Sequence, residues 1–230
     1  MKNFKGIIYA ALSSSTFGLA PLFSILLLSD GFSSFEVLSY RWGVASLTLG
    51  IIGLAGGCRF RISRQELCTV FFLSLFRAAT SLSLVIAYQN ISSGVASIIH
   101  FMYPLAVALA MALFFRERIS WRTAAAIGVS LAGVALLSTG GIGSRGGDTT
   151  AGTIAAAVSV FAYAGYIIGV RKSRAAQVES TTLTFYVMAF GALLFLCGGM
   201  FTGGVRPVSY THLRAHETLP NLVCRLLLEK

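Results

Sequence analysis

Seven stretches of this chain are each long and apolar enough to cross a lipid bilayer, and no other feature restricts its fold so strongly. A hydrocarbon core of about 30 Å is crossed by about 20 helical residues. The approximate spans are 6–28, 34–56, 67–88, 93–115, 121–139, 152–170 and 181–202. Backbone N–H and C=O groups find no water in that layer, so each stretch has to satisfy its own as a helix. The expected fold class is an all-α integral membrane protein with seven transmembrane helices. Composition argues against a soluble alternative. Of 230 residues, 56% are hydrophobic and only 11% charged, against roughly 25% charged in a soluble domain.

The net charge of +10 would point to nucleic acid in a soluble protein. Here the cations cluster between the apolar stretches, where membrane topology accounts for them. Lys2 and Lys5 precede the first span. Arg59, Arg61 and Arg64 follow the second, Arg116, Arg118 and Arg122 the fourth, and Arg171, Lys172 and Arg174 the sixth. If the spans alternate, these fall on one side, and the other side receives only Arg145 and Arg206. The positive-inside rule then places the N-terminus in the cytoplasm of a multi-pass protein of the bacterial cytoplasmic (inner) membrane. The expected partners are a small-molecule substrate and the lipid bilayer, with a homodimer left open and no nucleic acid. Cys58, Cys68, Cys197 and Cys224 lack metal-ligand spacing and read as small apolar fillers. No metal or cofactor is expected.

The last stretch has a different character. From Val208 the chain reads VSYTHLRAHET, LPN, LVCRLLLEK, and it holds two of the three histidines. Codons for Val208 to Thr218 can spell a transposase-type sequencing adapter, and those for Leu222 to Lys230 the flow-cell primer text. Leu219, Pro220 and Asn221 would come from the index between them. Residues 208–230 are therefore expected to be non-native, which removes His212, His216 and Cys224 from any site.

A weak repeat runs at a constant offset of 146 residues. Gly6, Ile8, Ala10, Ala11 and Ser13 match Gly152, Ile154, Ala156, Ala157 and Ser159, Phe17 falls on Tyr163, and Tyr40 on Tyr186. A five-helix unit has an odd number of crossings, so a second copy enters from the opposite face. That gives an inverted repeat, a common plan of secondary transporters. The expected organisation is a first repeat at 1–139, a periplasmic linker at 140–151 and the start of a second repeat at 152–207. The chain would then be a fragment of a ten-helix (5+5) parent.

Residues 92–137, SSGVASIIHFMYPLAVALAMALFFRERISWRTAAAIGVSLAGVALL, add a family likeness. A helix with a central Tyr103-Pro104 leads to Glu117 beside Arg118, then to a Gly-rich helix with Gly128, Gly133 and Val134. Arg41 opens the second helix. In this order and spacing the chain resembles the EamA family of the drug/metabolite transporter superfamily over nearly all of residues 5–203. The resemblance implies a ten-helix secondary transporter of two five-helix repeats around a central cavity, moving small organic metabolites or drugs, with export as the expected direction.

Ionisable groups inside a bilayer are costly and mark function by default. At about 1.5 Å per residue, Arg41 and His100 lie at similar depth in the outer half of their helices, and Arg77 lies near the middle of its own. Arg41, Arg77, His100, Tyr103 and Pro104 are the substrate-cavity candidates, with Arg41 as charge partner for an anionic solute. Each arginine could instead pair with helix-end carbonyls or an acidic residue, or snorkel, and His100 could be a packing residue. Pro104 frees a carbonyl, as a hinge or as a simple kink. Arg116, Glu117 and Arg118 read either as a helix-end ion cluster or as a cytoplasmic gate. The chain carries no GxxxxGK[ST], GxSxG or HExxH motif, so neither ATP-driven transport nor hydrolysis by this chain is supported. An integral membrane enzyme or a non-transporting sensor or scaffold is the alternative.

Overall fold

The computed structural model describes residues 21–58, 60–117 and 147–202, with single positions between 121 and 136. Helical residues 21–29 lead into α1 (Ser34–Ala55), α2 (Arg64–Asn90), α3 (Ser93–His100), α4 (Tyr103–Phe115), α5 (Thr149–Lys172), a 3-10 turn (Arg174–Gln177) and α6 (Ser180–Phe201). Among the described residues, five helical spans, with α3 and α4 counted as one, are long and apolar enough to cross a membrane. Their ends fall within a few residues of those expected. Most of the first and fifth spans, the cations Lys2, Lys5, Arg59, Arg118, Arg122, Arg145 and Arg206, and the tail at 208–230 lie outside the described residues.

Local chemistry fixes where the helices begin. Ser33 and Glu36 form a reciprocal capping box at the start of α1: the Ser33 N–H donates to Glu36 Oε2 at 2.7 Å and the Glu36 N–H to Ser33 Oγ at 3.2 Å. Ser63 and Glu66 repeat the arrangement at α2. Each box satisfies two N–H groups that the first turn leaves without intrahelical partners. Asp148 caps α5 by accepting from the Thr150 and Ala151 N–H groups. After α1 the chain turns at Gly57, whose φ of +74° is open to glycine at little steric cost.

The fourth span is broken. In an unbroken helix the His100 carbonyl would accept from the N–H of residue 104, and proline has none. The Met102 N–H bonds to the Ile99 carbonyl and the Leu105 N–H to the Met102 carbonyl, both at 3.0 Å, so two tight turns separate α3 from α4.

Contacts across the bundle are made by small residues against large ones. α1 and α6 lie antiparallel: Phe35 meets Gly198, Trp42 meets Gly191, and Gly50 meets Phe185. Ser34 to Ser180 and Ala55 to Phe201 are each 146 residues apart, so α6 repeats the bounds of α1 at the offset of the sequence repeat. α5 packs on α2, with Gly165 against Phe76 and Gly169 against Leu73. Gly165 and Gly169, four residues apart on one face, thus bring α5 close to α2. Gly53 faces Phe60 of its own loop, and Gly128 faces open space. Where lipid supplies no hydrophobic drive, close approach of this kind is what holds helices together.

The loops separate into two ends. Cys58 donates to Glu179, the Tyr186 hydroxyl donates to the Phe60 carbonyl at 3.1 Å, and Lys172 pairs with Glu117 at 3.2 Å. That end carries Arg61, Arg64, Arg116, Arg171, Lys172 and Arg174. At the other end Asn90 staples α2 to α5, accepting from the Asp148 N–H at 3.1 Å and donating to the Ile86 carbonyl at 2.9 Å. The alternation expected from the loop charges is thus present in the described part of the bundle. Along its sides Ile51, Leu113, Phe161 and Met200 face outward, as lipid-facing residues do.

Candidate functional site

Arg77 projects from the middle of α2 between two rings. Its guanidinium carbon lies 5.7 Å from the centre of the Trp42 ring and 5.2 Å from that of Tyr163. Nη1 donates to Ser81 Oγ at 3.2 Å. Stacking of this kind is worth roughly 0.5–2 kcal/mol per ring. Among the described residues Arg77 meets no carboxylate, and the same holds for Arg41.

His100 touches the same Tyr163 ring from α3, with centroids 5.4 Å apart, and Tyr103 packs edge-on to it at 4.5 Å. Nδ1 of His100 lies 3.0 Å from Ser159 Oγ, which in turn lies 2.6 Å from the Ala156 carbonyl. A carbonyl can only accept, so the single hydroxyl proton goes to Ala156 and Nδ1 must carry the proton it donates to Ser159. Nε2 is then an acceptor.

His100 is 4% exposed, yet no buried side-chain nitrogen or oxygen among the described residues lacks a partner. Nε2 has no partner, so it is not fully enclosed. The hydroxyls of Tyr103 and Tyr163 are likewise unpaired on half-buried side chains. A charged fork, an imidazole acceptor and two phenols thus converge with free hydrogen-bonding capacity inside an apolar bundle. Such groups persist at membrane depth where they line water.

Of the residues expected at a site, Arg77, His100 and Tyr103 are brought together around Tyr163, which the sequence reading had not selected. Arg41 stands to one side. Its side chain is exposed, donates to Ser24 Oγ at 3.0 Å and lies within electrostatic range of Arg77 and Tyr88. Tyr88 in turn contacts Ser97 at 3.4 Å. Pro104 shapes the break rather than the lining, and its side chain is exposed. The groove along the break, about 210 Å³, is lined wholly by apolar residues including Ile99, Met102, Val160 and Phe161. It offers nothing to a polar solute.

At the charged end, Glu117 pairs with Lys172 of α5 instead of with its neighbour Arg116, and Lys172 also lies 4.7 Å from the centre of the Phe115 ring. Arg118 lies outside the described residues. The pair is cross-helix and about 40% exposed on both sides (38% and 44%), a setting where ion pairs contribute under about 1 kcal/mol. Glu117→Gln is expected to lower thermal stability in detergent by no more than that, and Lys172→Gln added to it should cost little further.

Cys58 offers a pH test of the same end. Its hydrogen bond to Glu179, some burial and the carboxylate charge together push the thiol up from its ordinary range. A raised pKa means less thiolate at any given pH, so alkylation of Cys58 should follow a curve displaced to higher pH. Glu179→Gln, which removes the charge, should move that curve back down. An unchanged curve would show that the contact is not formed.

The fold and this interior define a multi-pass helical membrane protein with a cluster of polar side chains between its helices. Residues 4–139 match the model of the EamA-like transporter family, and the chain belongs to that family. An uncharacterized transporter of Archaeoglobus fulgidus is 28% identical over 188 residues, which cover 81% of this chain and 64% of that protein. The chain thus spans somewhat less than two thirds of that relative's length. A solved crystal structure shares the fold with a TM-score of 0.55 at 23% identity, over 87% of this chain and 72% of its own.

Proposed function

We propose that this chain forms the larger part of a secondary transporter for small organic anions, with Arg77 as charge contact in a wet pocket walled by Tyr163, Tyr103 and His100. The observation that carries the reading is the convergence of polar groups around Tyr163 with no carboxylate among the described residues to neutralise the guanidinium. Family membership supports transport. Arg41, exposed and close to Arg77, extends the positive field toward one end of the bundle.

In the same reading the parent is a ten-helix protein of two inverted five-helix repeats, and residues 208–230 of this chain are not part of it. The shared bounds and antiparallel pairing of α1 and α6 support that plan, because elements related by a pseudo-two-fold axis pair in this way. The cation-rich end faces the cytoplasm of a bacterium, and transport is outward, following the family likeness. Glu117 and Lys172 close the cytoplasmic end.

The Ser159–His100 contact does not favour an enzyme. The serine proton is directed to a carbonyl instead of to the imidazole, and Ser159 is wholly buried. A nucleophile needs the opposite arrangement. The test is flux of organic anions and of cations of equal size through proteoliposomes holding the full-length protein. Anion flux abolished by Arg77→Gln is expected. Flux that is equal for cations, or indifferent to Arg77, would contradict the proposal.

A further inference from the structure

His100 gives the pocket a second requirement beyond charge. Two features fix what it offers. The Ala156–Ser159–His100 chain of hydrogen bonds sets the proton on Nδ1, and Nε2 is the one ring nitrogen left without a partner on a side chain that is 96% buried (4% exposed). A largely buried acceptor with no protein partner is satisfied by a donor brought to it, from water or from a solute. No hydrogen bond joins Arg77 to it: Nη1 of Arg77 donates to Ser81, and the guanidinium lies over the Trp42 and Tyr163 rings. The acceptor and the guanidinium flank one ring, so a solute of a few ångströms can reach both.

We propose that His100 is a specificity-determining residue and Ser159 its positioning residue: together they select an organic anion that carries an O–H or N–H donor apart from its charge. The inference rests on the anion-pocket reading above. It adds that the solute is bifunctional, and that a donor-free anion of the same shape is discriminated against. Sites with a fixed polar group reject an analogue that leaves it unpaired more strongly than they reject a missing methylene.

The probes are 2-, 3- and 4-hydroxybenzoate, each compared with its methoxy and methyl counterparts, which keep the carboxylate and remove the donor. Trp42, which lies against Arg77, reports binding by its fluorescence in the full-length protein in lipid nanodiscs. Trp121→Phe silences the second tryptophan of this chain, an exposed residue, and any tryptophan elsewhere in the full-length protein is replaced by phenylalanine as well. At least one hydroxybenzoate is expected to bind about tenfold more tightly than both of its counterparts. His100→Leu should erase that ratio while binding still depends on Arg77. Ser159→Ala should shrink it, and Ser159→Thr, which keeps the hydroxyl, should retain it; a merely structural role for Ser159 would change all affinities alike.

Anions that bind in an Arg77-dependent way with no preference for the donor, or a preference that survives His100→Leu, would overturn this inference and leave the anion pocket standing. Absence of binding, or binding unaffected by Arg77→Gln, would overturn both.

Discussion

Arg77→Gln is expected to weaken binding of a small organic anion by about a hundredfold and to leave the fold as stable as before or more so. The first half follows from charge-assisted hydrogen bonds, which contribute about 1.5–3 kcal/mol each, so that removing the group contributing one or two costs two orders of magnitude. The second half follows from what Arg77 lacks. It is a half-buried cation at mid-membrane with no carboxylate partner among the described residues, and a cation there opposes insertion by roughly 2.5–3.5 kcal/mol. Its two ring contacts and the Ser81 hydrogen bond offset part of that. A residue that serves the fold would destabilise it on removal; one kept for a ligand would not. Arg77→Lys should rescue little, because an ammonium group loses the planar stacking between Trp42 and Tyr163. The readouts are anion affinity and thermal melting, measured on the same preparations.

Gly191→Leu should have the largest effect on stability. Even a single added Cβ at Gly191 would run into the six-membered ring of Trp42, which is 2% exposed and held edge-on against Phe195 at 5.3 Å. The ring cannot yield without leaving Phe195 and Arg77. Overpacking of a close-packed site costs about 1–3 kcal/mol, and leucine adds three more carbons than alanine. The α1–α6 pair should therefore separate. Melting in detergent is expected to fall by several degrees for Gly191→Ala and further for Gly191→Leu. Trp42→Ala added to Gly191→Ala should recover part of the loss, a coupling that distant sites do not show.

The helix plan was legible because length and capping are local properties. SSFE at 33–36 and SRQE at 63–66 announce two helix starts, and both close as capping boxes. Depth follows from helix length alone: a rise of about 1.5 Å per residue puts Arg41 and His100 at one expected level. Azimuth was not legible. In a soluble helix an apolar stripe marks the inward face, but lipid and bundle interior are both apolar, so that signal fades. Hence Arg41 was weighted as the charge partner, whereas the structure puts Arg77 against the ring that His100 also touches. Ser159 and Tyr163 entered the sequence reading only as repeat matches to Ser13 and Phe17. Nothing local marks a serine on an alanine-rich helix as the partner of a histidine 59 positions earlier. The break at 101–102 followed from Pro104, though the residue alone did not distinguish a bend from two separate helices. Glu117 was read within its own arginine cluster because the sequence lists neighbours along the chain, while its partner Lys172 is brought in by α5.

Water access beside Tyr163 tests the central claim most directly. In a full-length protein with its cysteines replaced, Tyr163→Cys should react with a small, charged, membrane-impermeant methanethiosulfonate, and an anionic solute should slow the reaction. Phe161→Cys, two residues away on a side chain 70% exposed along the apolar flank, should stay unmodified in the bilayer. Reaction at 163 and none at 161 is the result expected of a wet pocket. Equal reactivity at the two positions, or none at 163, would contradict it.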